Sequence, residues 1–302
     1  MNQVVDLNLS NCNLFTEDIF ILSIFLKNTT ALKSLNLSRN SIGFKYLEES
    51  KVIELKIQNK NKIKENNFED LFYDSLGIEH LSIALSKRPM LEHLDFSDND
   101  IGPTNFKLLM NVFRINLNIR FINIADCKIN GETAAELCSI LTNNKQLKSL
   151  LIRNCPIGDT GAEAVGKMIK NHTSLQELEL FNCDISEKGG EYIGEALKTN
   201  FCIEKLSIGD NDLHQSDVEN ILQSVIFNTQ YNQLKESNRK FEDFAHELIS
   251  ESIKRWASTS SFVTDKLMIR LKHPQDELDS QIAKNMLDHE GKMSFEETEK
   301  YE

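Results

Sequence analysis

The sequence predicts an α/β solenoid: short parallel strands lining a concave face, helices covering the convex face, and an α-helical segment closing the C-terminal end. Three observations carry that expectation. A five-point pattern recurs, mostly at a spacing of 28 residues. Within each copy, a short alternating stretch precedes one with helical period. After Leu213 the pattern stops and a long one-sided apolar helix pattern follows. One such unit cannot bury both its strand face and its helix stripe, so the units must stack.

The pattern is apolar at i, i+3 and i+5, Asn or Cys at i+8, and apolar at i+10. In one copy these are Leu147, Leu150, Ile152, Cys155 and Ile157. Copies start at Val4, Leu32, Leu91, Ile119, Leu147, Leu175 and Ile203, separated by 28, 59, 28, 28, 28 and 28 residues. Alternation over i+2 to i+6 makes a strand whose i+3 and i+5 side chains point inward. At i+8 the chain leaves the strand, and Asn supplies a donor and an acceptor to the buried turn, Cys a compact weak donor; stacked copies form a ladder. A helix follows, as with Ala162, Val165, Met168 and Ile169 on one apolar face. The expected organisation is a solenoid of about seven units over 1–230 and a helical cap with a polar tail over 231–302.

The 59-residue gap holds 31 surplus residues between Gly43 and Gly77, an insertion at 44–76. Its centre, Lys56 to Lys64, carries four lysines and no acid. It reads as a solvated helical hairpin, a degenerate extra repeat (Val52, Leu55 and Ile57 mimic i, i+3 and i+5), or a basic arm. In the cap, Leu234, Phe241, Phe244, Leu248 and Trp256 share one helix side.

Composition bounds the function. The 302 residues include 34 Lys and Arg against 46 Asp and Glu, a formal charge of −12. Nucleic acid demands a basic face, so it is not the expected ligand. No run approaches the ~20 apolar residues of a membrane helix, and the start lacks the basic and apolar regions of a secretory leader. Six cysteines are too few for a disulfide framework in so long a chain. A cytoplasmic monomer without membrane or cofactor is expected.

With Cys or Asn at i+8, and Ile-Gly at Ile42-Gly43, Ile101-Gly102 and Ile157-Gly158, residues 1–230 resemble leucine-rich repeats of the ribonuclease-inhibitor type. The resemblance implies a leucine-rich-repeat horseshoe arc that binds another protein on its concave side. The end of the chain, Ser294-Phe-Glu-Glu-Thr-Glu-Lys-Tyr-Glu302, resembles the C-terminal translocation signals of bacterial type IV secretion effectors. That resemblance implies a virulence protein carried by a bacterium into a host cytosol.

On the concave face, positions i+2, i+4, i+6 and i+7 carry seven acids, three bases and His93, and most of the others are Ser or Asn. Phe121 at i+2, Leu151 at i+4 and Phe181 at i+6 depart from that, on consecutive strands, and should form one diagonal apolar stripe. Asp95, Asp126, Glu177 and Glu179 border it, with His93 and Arg153 nearby. These nine residues are the candidate partner-binding set, for a protein whose basic surface surrounds an apolar knob.

Other motifs fail on their own chemistry. Gly161 to Met168 approaches a phosphate-binding loop, but Met168 stands where Ser or Thr would hold Mg²⁺. Asp98-Asn-Asp100-Ile-Gly102 opens like a calcium loop that no Glu closes. Cys127, Cys155 and Cys183 share the slot of Asn40, Asn99 and Asn211, so they read as structural thiols. His93, Asp95 and Ser97 alternate on one strand face at roughly 6–7 Å, too far for a relay. The expected function is a non-catalytic inhibitor or modulator of a protein partner. A GTPase activator using Arg39 or Arg153, and a substrate-recruiting adaptor, are the alternatives.

Overall fold

The computed structural model describes residues 4–43 and 75–236. In chain order these form β1 (Asp6–Asn8), α1 (Thr16–Leu26), β2 (Ser34–Asn36), α2 (Ser75–Ser86), β3 (His93–Asp95), α3 (Gly102–Ile115) and β4 (Phe121–Asn123). Then come α4 (Gly131–Leu141), β5 (Ser149–Leu151), α5 (Gly158–Asn171), β6 (Glu177–Glu179), α6 (Glu187–Thr199), β7 (Lys205–Ser207) and α7 (Gln215–Glu236). The strands make one parallel sheet in sequence order. Their central residues align from Leu7 through Leu35, Leu94, Ile122, Leu150 and Leu178 to Leu206. This is the expected solenoid, with one continuous apolar core between sheet and helices.

β2 pairs directly with β3, Ser34 opposite His93. The insertion itself, with its lysines and with the hairpin, extra-repeat and basic-arm readings, lies outside the described residues. Helix α2 resumes the regular unit at the expected place around Gly77.

The i+8 ladder forms as its chemistry requires. Asn99 is 1% exposed. Its Nδ2 donates to the carbonyls of Leu37 (2.9 Å), Phe96 (2.9 Å) and Ser97 (3.1 Å), and its Oδ1 accepts from the Ile42 amide (3.3 Å). Asn40 and Asn211 repeat the arrangement. The thiols of Cys127, Cys155 and Cys183 each donate to a carbonyl of the preceding unit, those of Phe96, Ile124 and Ile152. A thiol offers no equivalent of Oδ1. Ahead of Cys127 and Cys183 the turn closes differently: the amides of Gly102 and Gly158 donate to those cysteines' own carbonyls at 3.0 Å. Both glycines have positive φ, 69° and 55°, a region most side chains avoid.

A second ladder runs at i−3, just past the ends of α3 to α6 and, at Asn228, within α7. Asn144, Asn200 and Asn228 cap the carbonyls left open by the neighbouring helix end or strand start. His172 holds the same slot, and its ring imitates the carboxamide. Nδ1 accepts from the Ser174 (3.3 Å) and Leu175 (3.1 Å) amides, as Asn200 Oδ1 accepts from Cys202 and Ile203. The ring proton therefore sits on Nε2, which faces the Leu141 and Asn144 carbonyls without completing a hydrogen bond.

The two ends differ. Beyond β7, α7 passes uninterrupted through residue 230, so the expected boundary falls inside a helix. Asn228, Thr229 and Asn232 cap the Ile203, Glu204 and Phe201 carbonyls, and Phe227 and Tyr231 cover Phe201. The rest of the expected cap and tail, from residue 237, lies outside the described residues. At β1, Val4, Leu7, Leu9 and Leu14 are only half-buried where their counterparts in inner units are fully buried. Cys12, in a ladder slot, is exposed, and its thiol reaches only the carbonyl of Ser10 in its own turn.

Candidate functional site

The sheet geometry decides which concave residues are available. Position i+7 is left-handed in all seven units: Asn11, Arg39, Asp98, Asp126, Asn154, Asn182 and Asp210 have φ of 51–59°. Asn and Asp tolerate that conformation best, so their presence at the rim follows from backbone shape before any partner is considered. At i+4, Asn8, Asn36, Asp95 and Asn123 accept the amide two residues on, closing the strand end. In β5 and β6 that position is Leu151 and Glu179, which carry no such duty.

Phe121, Leu151 and Phe181 are each half-buried. Phe121 opens β4 opposite Ser149; Leu151 closes β5 opposite Glu179, with Phe181 two residues further along. Each step is one strand across and two residues along, about 8 Å from strand spacing and rise. Phe121 stacks on His93 with ring centres 5.9 Å apart. Phe181 lies over Gly209, where a Cβ would stand 3.3 Å from its ring.

The polar residues of the set divide. Asp95 accepts from the Ser97 amide (2.9 Å) and hydroxyl (2.7 Å), because the chain curls at the strand end and brings together two groups expected to stand apart. His93 turns to Phe121 instead. Asp126 accepts Asn154 Nδ2 at 3.0 Å, and Asn154 in turn accepts from Asn182. Glu177 accepts the Ser149 hydroxyl at 2.8 Å and stands 3.8 Å from Lys205 Nζ. The side chains of Glu179 and Arg153 make no hydrogen bond or ion pair among the described residues. Arg39 pairs with Asp98 at 3.3 Å.

The tempting motifs resolve as structure. Asp98 and Asp100 diverge to Arg39 and Lys128 while Asn99 turns inward. The phosphate-loop-like segment is helix α5 with Gly161, Ala162, Val165 and Gly166 buried. Burial pushes the Cys138 and Cys183 thiols up to about 12, and Cys127 and Cys155 upward also, the reverse of nucleophile activation. Among the described residues no cluster of His, Cys, Asp or Glu could hold a metal ion, and no helix is long and apolar enough to cross a membrane.

One family model agrees with this architecture over part of the chain. The family model described as Leucine Rich repeat matches residues 88–104, 143–166 and 171–194. The fold is that of a leucine-rich-repeat solenoid, and leucine-rich repeats commonly mediate protein–protein interaction. Similar solved structures include the actin-binding site 2 of leiomodin-1, at 18% identity over 47% of this chain and 83% of that one, TM-score 0.42. A Caenorhabditis elegans tropomodulin C-terminal domain matches at 13% over 62% and 96%, TM-score 0.37. An internalin from Listeria monocytogenes matches at 16% over 65% and 66%, TM-score 0.24. No curated protein matches the chain.

Proposed function

We propose that the protein is a non-catalytic binding module whose concave face grips a partner protein at Phe121, Leu151 and Phe181 and thereby inhibits or modulates it. The observation that carries the reading is the stripe itself. Three apolar side chains hold concave positions that other units fill mainly with small polar or charged residues, and Glu179, with no partner among the described residues, stands beside them. An apolar centre within a polar rim is how interface hot spots are built. The carboxylates of Glu177, Glu179 and Asp126 select a partner that is basic around its apolar knob. The glutamate-rich end of the sequence supports an effector setting, where the target is a host protein or a co-injected enzyme whose active site the arc occludes.

A GTPase activator is the second reading, favoured by one observation: Arg153 is exposed beside Leu151 with no partner among the described residues, whereas Arg39 is committed to Asp98. Loss of stimulated GTP hydrolysis in Arg153→Ala would select it.

Affinity capture followed by titration of the recovered partner tests the proposal. Phe121→Ala and Phe181→Ala should each weaken binding about 30-fold, roughly 2 kcal/mol. Unchanged affinity in the double variant rejects the stripe.

A further inference from the structure

A second surface, opposite in chemistry, lies at the edge where strands start and helices end. Among the described residues, the helices that link one strand to the next run back against the parallel strands, so their C-termini gather on this edge. Its i+1 row reads Lys33, Glu92, Arg120, Lys148, joined by backbone hydrogen bonds of 2.7–2.8 Å. Lys33 and Arg120 flank Glu92 at 3.4 and 3.7 Å. Lys87 and Lys145, both exposed, extend the basic ground in a chain whose formal charge is −12. Cations at helix C-termini complement the helix dipoles, which accounts for the charge.

It does not account for the apolar residues in its midst. Met90, Ile115 and Leu117 are 54%, 58% and 47% exposed. They hold positions i−1, i−4 and i−2. At i−4 the other described units carry Asn28, Lys87, Asn143, Asn171 and Thr199; at i−1 they carry Ala31, Asn118, Gln146, Ser174 and Cys202. The instructive exception is Phe201 at i−2, the counterpart of Leu117: it is 4% exposed, because Phe227 and Tyr231 of α7 cover it. Asn118 Nδ2 donates to the Pro89 carbonyl at 2.8 Å, which joins the two loops that carry Met90 and Leu117. A groove of about 300 Å³ opens here, lined by Lys33, Met90, Glu92, Asn118, Arg120 and Gln146.

We infer that this edge is a docking site for an acidic polypeptide segment bearing apolar side chains. Its carboxylates meet Lys33, Arg120 and Lys145, and its apolar residues cover Met90, Ile115 and Leu117. Charge complementarity selects the occupant: the basic ring excludes the basic partner proposed for the concave face, and the apolar centre distinguishes a peptide from a bare polyanion. The site is independent of the concave stripe.

The probe is a short synthetic peptide with glutamates around leucine and phenylalanine, titrated by fluorescence anisotropy into the full chain. Binding should weaken about ten-fold in Leu117→Ser and in Arg120→Ser, with thermal unfolding unchanged because both side chains are surface-exposed. It should be unaffected by Phe121→Ala. An equally charged peptide without apolar residues should bind at least ten-fold more weakly. The inference is overturned if that peptide or a nucleic-acid oligomer binds as well, if the variants bind normally, or if the acidic–apolar peptide does not bind.

Discussion

Asn99→Ala should lower unfolding stability by about 4 kcal/mol, read as the shift in urea midpoint at unchanged slope. The carbonyls it leaves retain other partners: Asn40 Nδ2 for Leu37, the Cys127 thiol for Phe96 and the Arg39 amide for Ser97. The Ile42 amide keeps none apart from Asn99 Oδ1. A buried orphan amide costs about 1–3 kcal/mol and the lost bonds add roughly 1 each. Asn99→Cys should recover part of the loss, since a thiol can donate to Leu37 as Cys127 does to Phe96, but cannot accept from Ile42. A variant within about 1 kcal/mol of the parent would show that the ladder contributes little beyond packing.

His172→Asn should remove most of the acid sensitivity of the middle of the solenoid. The imidazole is 2% exposed. Burial, with Lys145 and then Lys148 nearby, holds it well down, at about 4 against an ordinary 6.5. The folded state thus binds the proton more weakly than the unfolded chain. Stability from this group is complete above 6.5, falls as pH drops from 6.5 towards 4, and levels off below. Protonating Nδ1 also breaks its two bonds to the Ser174 and Leu175 amides. The window is worth about 3 kcal/mol. Asn there should accept the same amides and donate to the Leu141 and Asn144 carbonyls, as Asn200 does one unit on. Urea midpoints at pH 7 and pH 4 check this. A gap between parent and variant that does not widen on acidification would refute it.

The arc was legible in the sequence because burial of a stacked unit imposes the same apolar positions every 28 residues, and those positions are where the core lies. What surrounds the core was less so. The i−3 ladder mixes Arg88, Asn116, Asn144, His172 and Asn200, five polar side chains that share a hydrogen-bonding slot rather than a residue type; the Asn spacing alone could have revealed it. The rim aspartates looked like a choice of charge until their left-handed φ gave them a backbone reason. Asp95 and Ser97 were expected to stand apart because a strand was extended past its last residue. Phe121, Leu151 and Phe181 were conspicuous for a simple reason: in a repeat, the odd residue is the one that the repeat does not require.

The half-covered first unit sets where the molecule gives way. In a one-dimensional stack each unit leans only on its neighbours, and Val4, Leu7 and Leu9 are half-buried where their inner counterparts are buried. Hydrogen exchange among the described strands should be fastest around β1 and slow progressively towards β5. The proposed gripping strands, β4 to β6, sit deep along that gradient, and the protein can lose its first turn of the coil to heat or protease while its grasp stays intact.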